Sequence, residues 1–382
     1  MDDFPAGPAS PGPRRPTLSV VIPVNNGGRD FGLCLRGLRE STWTDYELII
    51  VDDGSTDETA GLAEAEGARV LRHPTKLGPA AARNAGALAA RAALIFFLDA
   101  DVAVHPDAIA RGMARFAADP GLAGLFGSYD DSPAAPGLVS RFRNLLHHHV
   151  HQTGTFVDDA RPARTFWTGC GLIRREVFLD AGGFDPQLYR RPAIEDIELG
   201  YRITRLGHRI VLARNVQATH LKRWTLFEMV RTDIFRRGVP WLLLMKRSRV
   251  VETDLNVAKS QRACVAATGL GLFGAVAGLR FPAMLGLLPA SLGAIVALNR
   301  DFYRFLARRR GLGFALGSAW LHFLYYCCCG ASVLIAEGLW LVAKRADPAA
   351  SPAPSGRRLD RASSPLPASP HPANPRRRSR SR

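Results

Sequence analysis

The sequence predicts an α/β domain, a right-handed and mostly parallel sheet with helices on both faces, followed by apolar helices. Three observations carry this. From residue 17 to about 250, short β-rich runs alternate with Ala-rich helical stretches, the βαβα order that builds parallel sheets. One run, Leu94-Ile95-Phe96-Phe97-Leu98, has no polar position at all, as expected of a strand covered on both faces. Beyond that region the charge nearly vanishes: residues 263–299 contain one charged side chain, Arg280.

The strand candidates, in order, are 18–24, 46–53, 68–73, 94–101 and 123–129. Helical segments fit between them, including 57–67 and 79–93. In such sheets ligands sit beyond the carboxyl ends of the strands. The chemistry-bearing residues should therefore follow the runs at 24, 52 and 98.

The apolar region, 251–345, should supply two to four transmembrane or interfacial helices. Residues 263–299 break at Arg280-Phe281-Pro282, and each half is near the lower limit of about 17 residues for a span. A hairpin of two spans fits, as does a re-entrant or surface-lying pair. Residues 312–343 form a longer apolar run, with Trp320, Tyr325, Tyr326 and Trp340 as interface anchors. Between them, RDFYRFLARRRG (300–311) is basic and amphipathic and suits the cytoplasmic interface. Gly274 and Gly278 have the GxxxG spacing, which chance explains in so Gly- and Ala-rich a segment.

The 382 residues carry a formal charge of +16. From Lys344 onward ten Lys or Arg face Asp347 and Asp360, 10 − 2 = +8, half the excess in one Pro/Ser/Arg-rich tail. Residues 346–382 are expected to be disordered, meeting anionic lipid and no nucleic acid, since aromatics are not interleaved with the basic residues. Residues 1–16 read as a disordered Pro/Gly leader and not a secretory signal. The six cysteines show no zinc or disulfide spacing, which suits a reducing compartment.

Val51-Asp52-Asp53-Gly54-Ser55-Thr56-Asp57 places acids at a strand end. They suit hydrogen bonds to a ribose or base edge and would repel phosphate. Ser55 or Thr56 could also cap the helix expected near Asp57. Gly78-Pro79 opens a helix whose small residues approach the sheet, while Arg83 and Asn84 are polar enough to reach a ligand. Asp99 and Asp101 would share one side of a continuing strand. A hard cation between them, Mg²⁺ or Mn²⁺, would relieve their repulsion; an acidic turn is the plain alternative. Glu195-Asp196 opens an amphipathic helix with Ile197, Leu199, Ile203 and Leu206 inward. Its acids are dipole partners or a general base. His220-Leu221-Lys222-Arg223-Trp224 joins a possible metal ligand, two cations and an indole. The tract His147-His148-His149-Val150-His151 reads as a polar helix face.

In this order the pieces resemble family 2 glycosyltransferases of the GT-A fold. The matching stretches are VVIPVNN (20–26), VDDGSTD (51–57), GPAAARNAG (78–86), FLDADV (97–102), TGCGLIRREVFLDAGGFD (168–185) and EDIELGYRITRLGH (195–208), covering about residues 17–225. The resemblance implies a Rossmann-like mixed sheet and an inverting transfer from a nucleoside-diphosphate sugar to a hydroxyl acceptor. It implies that Pro23, Val24, Asn26, Asp52, Asp53, Arg83, Asn84, Asp99, Ala100, Asp101, Lys222 and Arg223 line the donor. Asp99, Asp101 and His220 would hold the divalent cation, and Trp167, Thr168, Gly169 and Trp224 would meet the acceptor. Asp196 would be the base, with Glu195 beside it.

The chain departs from the family pattern at two places. Asn25-Asn26 follows the first strand where an aromatic commonly precedes the Asn. His220 stands where processive polysaccharide synthases carry the Gln of QxxRW. With so short a membrane region, this favours transfer of one or a few sugars over processive synthesis. The expected setting is a bacterial cytoplasmic membrane, multi-pass, with the catalytic domain (17–250) in the cytoplasm and a lipid-linked or glycan acceptor. The rivals are a metal-dependent nucleotidyltransferase, for which NNGGRD (25–30) is a poor Gly-rich loop, and a non-catalytic sugar-nucleotide-binding scaffold.

Overall fold

The structure is a computed structural model and describes residues 15–248 and 259–346. The expected leader, the boundary near residue 250 and the basic tail fall outside the described residues, but for 15–16 of the leader and Ala346 of the tail. Nine strands form one sheet in the order β3-β2-β1-β4-β8-β6-β9-β5, with β7 beside β9. They are β1 (Leu18–Val24), β2 (Tyr46–Asp52), β3 (Arg69–Arg72), β4 (Leu94–Leu98), β5 (Val102–Val104), β6 (Leu122–Tyr129), β7 (Ala160–Ala163), β8 (Cys170–Arg174) and β9 (Arg209–His220). The helices on its faces are α1 (Gly28–Arg39), α2 (Thr59–Ala65), α3 (Pro79–Ala89), α4 (Ala108–Ala118), α5 (Leu138–Gln152), α6 (Arg175–Asp180) and α7 (Glu195–Arg205).

The first four strands in sequence are parallel, as the βαβα rhythm requires. The sheet is mixed, not mostly parallel, because β8 enters antiparallel between β4 and β6. The fully apolar β4 does lie in the middle, with all five residues buried. Small residues set the helix spacing: a Cβ on Gly86 of α3 would lie 2.3 Å from Val21 Cγ1. Two details of the sequence reading are corrected. The strand at 94 stops at Leu98, so Asp99 and Asp101 sit on a turn and not on a strand face. The second helix starts at Thr59, where Asp57 Oδ1 takes the Thr59 backbone N–H at 3.2 Å; Ser55 and Thr56 bond to Asn26 instead.

After β9 come α8 (Leu226–Arg231), a π-helical turn (Thr232–Gly238), α9 (Val239–Ser248), α10 (Lys259–Ala277), a 3-10 turn (Pro282–Gly286), α11 (Leu287–Leu298), α12 (Arg300–Arg310) and α13 (Leu312–Ala346). The hairpin expected at 263–299 forms between α10 and α11, closed where Gly271 and Gly274 approach Ser291 and Leu287. Neither α10 nor α11 is by itself long and apolar enough for a span. The 12 residues of α11 rise about 18 Å at ~1.5 Å each, short of a ~30 Å hydrocarbon layer. The chain then bends by 83° into α12. Among the described residues α13 alone is long and apolar enough to cross a membrane by itself. Leu270, Phe273, Val276, Leu316, Trp320, Leu334 and Val342 leave apolar side chains exposed along α10 and α13, and Leu279 just beyond α10, the kind of surface that marks a membrane or partner contact.

Candidate active site

The carboxyl ends of β1 and β2 are knitted into one floor. Asn26 takes a positive φ of 53°, and its Oδ1 accepts from Thr56 N at 2.8 Å while its N–H donates to Ser55 Oγ at 2.9 Å. Asp52 accepts from Ser55 N at 2.8 Å, holding the acidic turn. Asp53 reaches across to the loop after β3, accepting from Leu77 N at 2.9 Å and Gly78 N at 2.8 Å and meeting His73 Nδ1 at 2.7 Å. Burial pushes the Asp53 carboxyl up, but His73 and the two amides outweigh it and hold the group below the usual range. Gly54 at φ 73° permits this closure, since a Cβ there would sit 2.9 Å from Lys76 N.

Arg83 projects from α3 into the centre. One guanidinium nitrogen meets Asp99 Oδ1 at 2.6 Å and the other Glu195 Oε1 at 3.0 Å. Glu195 also accepts from Ala193 N at 2.9 Å, so both its oxygens are spent on structure. Asn84 turns away from any ligand: its amide bonds Phe184 O at 2.8 Å and Phe184 N at 2.9 Å. This corrects its expected place at the donor. Its polarity fastens α3 to the loop before α7.

Pairing of β5 with β9 sets Val102 opposite His220, so the histidine meets the acids of the β4–β5 turn across 119 residues of chain. His220 Nε2 lies 3.8 Å from Asp101 Oδ2. Its Nδ1 is 2.6 Å from Asn144 Oδ1, so Nδ1 donates there and Nε2 is the nitrogen on the Asp101 side, carrying a proton toward Asp101 or, once deprotonated, a lone pair toward a cation. Tyr129 stacks on the same ring at 4.3 Å and 8°. Burial and Asp101 raise the Asp99 carboxyl, with Arg83 opposing; His220 and Lys222 overcome burial and lower Asp101. The two acids are thus pushed apart, although their side chains are 30% and 37% exposed. Lys222 Nζ lies 4.5 Å above the Trp224 ring, whose other neighbour is the Arg143 guanidinium at 5.6 Å. Arg223 is exposed.

Asp196, first-turn residue of α7, opens into a cavity of about 660 Å³. Burial, and then Glu195, push its carboxyl up to about 7 against the pull of Arg83 and Arg237. Trp167 walls the same cavity, edge-on to Tyr129 at 4.7 Å. Thr168 is buried behind it, and Gly169 is required because a Cβ would lie 2.4 Å from the indole. A carboxyl raised toward neutrality, beside a glutamate that Arg83 joins to the acidic turn, is an arrangement for moving a proton beside a bound anion.

Residues 19–182 match the model of the glycosyl transferase family 2 domain. The chain carries this match in somewhat less than half of its length. It is 31% identical over 241 residues to the pre-mycofactocin glycosyltransferase of Mycobacterium tuberculosis, covering 59% of this chain and 48% of that one. An uncharacterized protein of the same species is 28% identical over 230 residues, 55% of this chain and 71% of the other. The chain therefore spans about half of the first of these relatives and about seven tenths of the second. In fold it resembles the mannosyltransferase from Pyrobaculum calidifontis solved with GDP-Man and Mn²⁺, with TM-score 0.51 and 17% identity over 86% of this chain and 88% of that one.

Of the residues singled out from sequence, the fold brings Asp99 and Glu195 onto Arg83, His220 beside Asp101, and Asp196 and Trp167 into one cavity. The histidine tract is corrected: it is not a solvated face. His148 and His151 are buried, bonded to the carbonyls of Tyr129 at 2.7 Å and Gly127 at 3.2 Å, and His147 packs 5.1 Å from Trp167. Leu206, expected inward, is 58% exposed. Sequence reading missed Asp30, whose carboxyl is raised by burial and by nearby Asp101, and Asn144. It also missed Arg143, Asp233 and Arg237 on the cavity wall. Only the apolar-plus-charged texture of 138–152 and 226–248 hinted at them.

Whether the residues fit a divalent cation is decided by their chemistry. Among the described residues no three His, Cys, Asp or Glu already converge on one point. Asp101 and Nε2 of His220 are a hard oxygen and an imidazole nitrogen with room between them, which fits a cation that takes its other ligands from phosphate and water. Asp99 is committed to Arg83.

Proposed function

We propose that this protein is a metal-dependent, inverting glycosyltransferase. It takes a sugar from a nucleoside-diphosphate sugar and passes it to a hydroxyl of a lipid-linked or glycan acceptor at the cytoplasmic face of a bacterial membrane. The observation that carries this is the Asp196 carboxyl, pushed up to about 7, next to Glu195, which Arg83 joins to Asp99 of the turn that holds the Asp101–His220 pair. A base is most effective when its pKa lies near the working pH.

Asp52 and Asp53 shape the nucleoside pocket, and Asp101 and His220 would hold Mg²⁺ or Mn²⁺. When bound, that cation supplies positive charge to the diphosphate. Lys222, steadied on Trp224, faces the same departing charge. Asp196 takes the acceptor proton as the hydroxyl oxygen attacks the anomeric carbon from the face opposite the diphosphate. The bond to the diphosphate breaks with its electron pair, so a single displacement inverts the centre. The Mn²⁺ and GDP-Man bound by the solved mannosyltransferase support the donor class. The exposed apolar side chains along α10 and α13, and basic α12 at 83° to α11, support the membrane face. One to a few transfers suit a chain with His220 where processive synthases carry the Gln of QxxRW.

A screen of donor hydrolysis over sugar nucleotides with Mn²⁺ tests this. Asp101→Ala and Asp196→Asn should each lower turnover about 100-fold or more; undiminished turnover in both would refute the site.

A further inference from the structure

The cavity that opens at Asp196 does not stay in the catalytic domain. Its near wall is Asp196, Trp167 and His147, and its far wall is Trp241, Met245, Val265, Tyr326 and Val333. Those last residues belong to α9, α10 and α13. A molecule with a hydroxyl at Asp196 therefore runs its remaining length against the apolar helices.

The charges lining this space do not balance. Arg143 is paired with Asp233, and Lys246 with Glu337 at 2.7 Å. Arg262 is partnered as well. Arg237, on the π-helical turn, lines the cavity with no ion pair or hydrogen bond recorded among the described residues. Burial lowers its affinity for the proton, and Arg143 beside it lowers it further, with Asp233 and Asp196 opposing. Asp196 cannot serve as its permanent counter-ion, because that carboxyl is half protonated near neutrality. Arg237 is half-buried, so its N–H donors remain open to a ligand in the cavity. Its five fixed N–H donors match a phosphate in shape and charge.

Resting on the glycosyltransferase reading of Asp196, we propose that the acceptor is an amphiphile whose head carries a phosphate ester beside the attacking hydroxyl. Arg237 binds the phosphate, and the apolar chain lies between α9, α10 and α13. The hydroxyl proton passes to Asp196, the new bond forms to the anomeric carbon, and the diphosphate leaves with the electron pair; the acceptor phosphate is unchanged throughout.

Binding to the full chain in detergent, followed by quenching of Trp167 and Trp241, tests this without a donor. The probes are lysophosphatidic acid, monoacylglycerol of the same chain, and inorganic phosphate. Wild type should prefer the first over the second by about tenfold or more, with inorganic phosphate weaker still. Arg237→Ala should erase that preference and Arg237→Lys restore part of it. Val333→Trp should weaken both lipids alike. Equal binding of the two lipids by wild type, an unchanged preference in Arg237→Ala, or inorganic phosphate binding as tightly as the lipid would overturn the proposal. Donor hydrolysis by the same preparations separates the two readings. If it persists while the lipid preference is absent, only the acceptor assignment fails; if it is absent from wild type with every sugar nucleotide, the function itself fails.

Discussion

Asp196 keeps its proton to about pH 7 because it is buried beside Glu195, and Arg83 and Arg237 only partly offset that. The unprotonated carboxylate is the working form, so kcat/KM should rise with pH to a plateau above about 7, and Asp196→Asn should lack that limb. The same residue has a stability signature. In the unfolded chain the group ionises near pH 4, as an ordinary Asp does. Between there and about 7 only the unfolded state sheds its proton, so folding stability falls as pH rises through that window. Asp196→Asn should therefore melt above wild type at pH 8 and near it at pH 4, measured by thermal unfolding. Asn144 predicts a different effect, because it fixes the His220 tautomer at 2.6 Å. Asn144→Ala should weaken Mn²⁺ activation about 10-fold or more while leaving donor-independent stability within a degree or two; an unchanged Mn²⁺ titration would disprove its role.

At the level of elements, β1 fell where composition placed it, because a buried parallel strand is written as a nearly unbroken apolar run; β3 fell within a residue on its central Val-Leu alone, its ends being exposed. The end of β4 was not legible. LIFFLDADV looks continuous, but Asp99 is drawn off the strand by Arg83, sixteen residues earlier. β9 was overlooked entirely: RIVLARNVQATH alternates buried and half-buried positions with Arg, Asn and Gln. Its polar positions are satisfied by partners such as Asp159 and Asp130 that no local window contains. The donor acids were visible because each follows its own strand, whereas the cavity wall is assembled from α5, α7, α9 and α13. The histidines of α5 show why polarity misled: tertiary carbonyls and rings take them in. A test at this scale is Gly169→Ala. Its methyl would fall 2.4 Å from the Trp167 indole, and overpacking of this kind costs about 1–3 kcal/mol. Transfer to acceptor should drop more than donor hydrolysis does, since the indole faces the acceptor cavity; equal losses would remove Trp167 from the acceptor side.

For the molecule as a whole, the catalytic sheet and the apolar helices are tied by α12. Phe302, Tyr303 and Leu306 are buried, while Arg300, Arg304, Arg308 and Arg310 face outward. Exposed arginines near an anionic bilayer contribute about 1 kcal/mol each. Replacing these four by Gln should reduce cosedimentation of the full chain with anionic vesicles at low salt and leave neutral vesicles unaffected. Equal loss on both would mean that the exposed apolar side chains act alone.

Arg83 touches an acid of the donor turn with one nitrogen and the neighbour of the base with another. Energetically the two halves of the reaction therefore share one variable. Asp99→Ala and Glu195→Ala should not add: each leaves the guanidinium wholly to the other carboxylate, and their double-mutant cycle should give a coupling of roughly 0.5–3 kcal/mol. Read through kinetics, that is a thermodynamic link between filling the donor side and readying the base, transmitted through a single buried side chain.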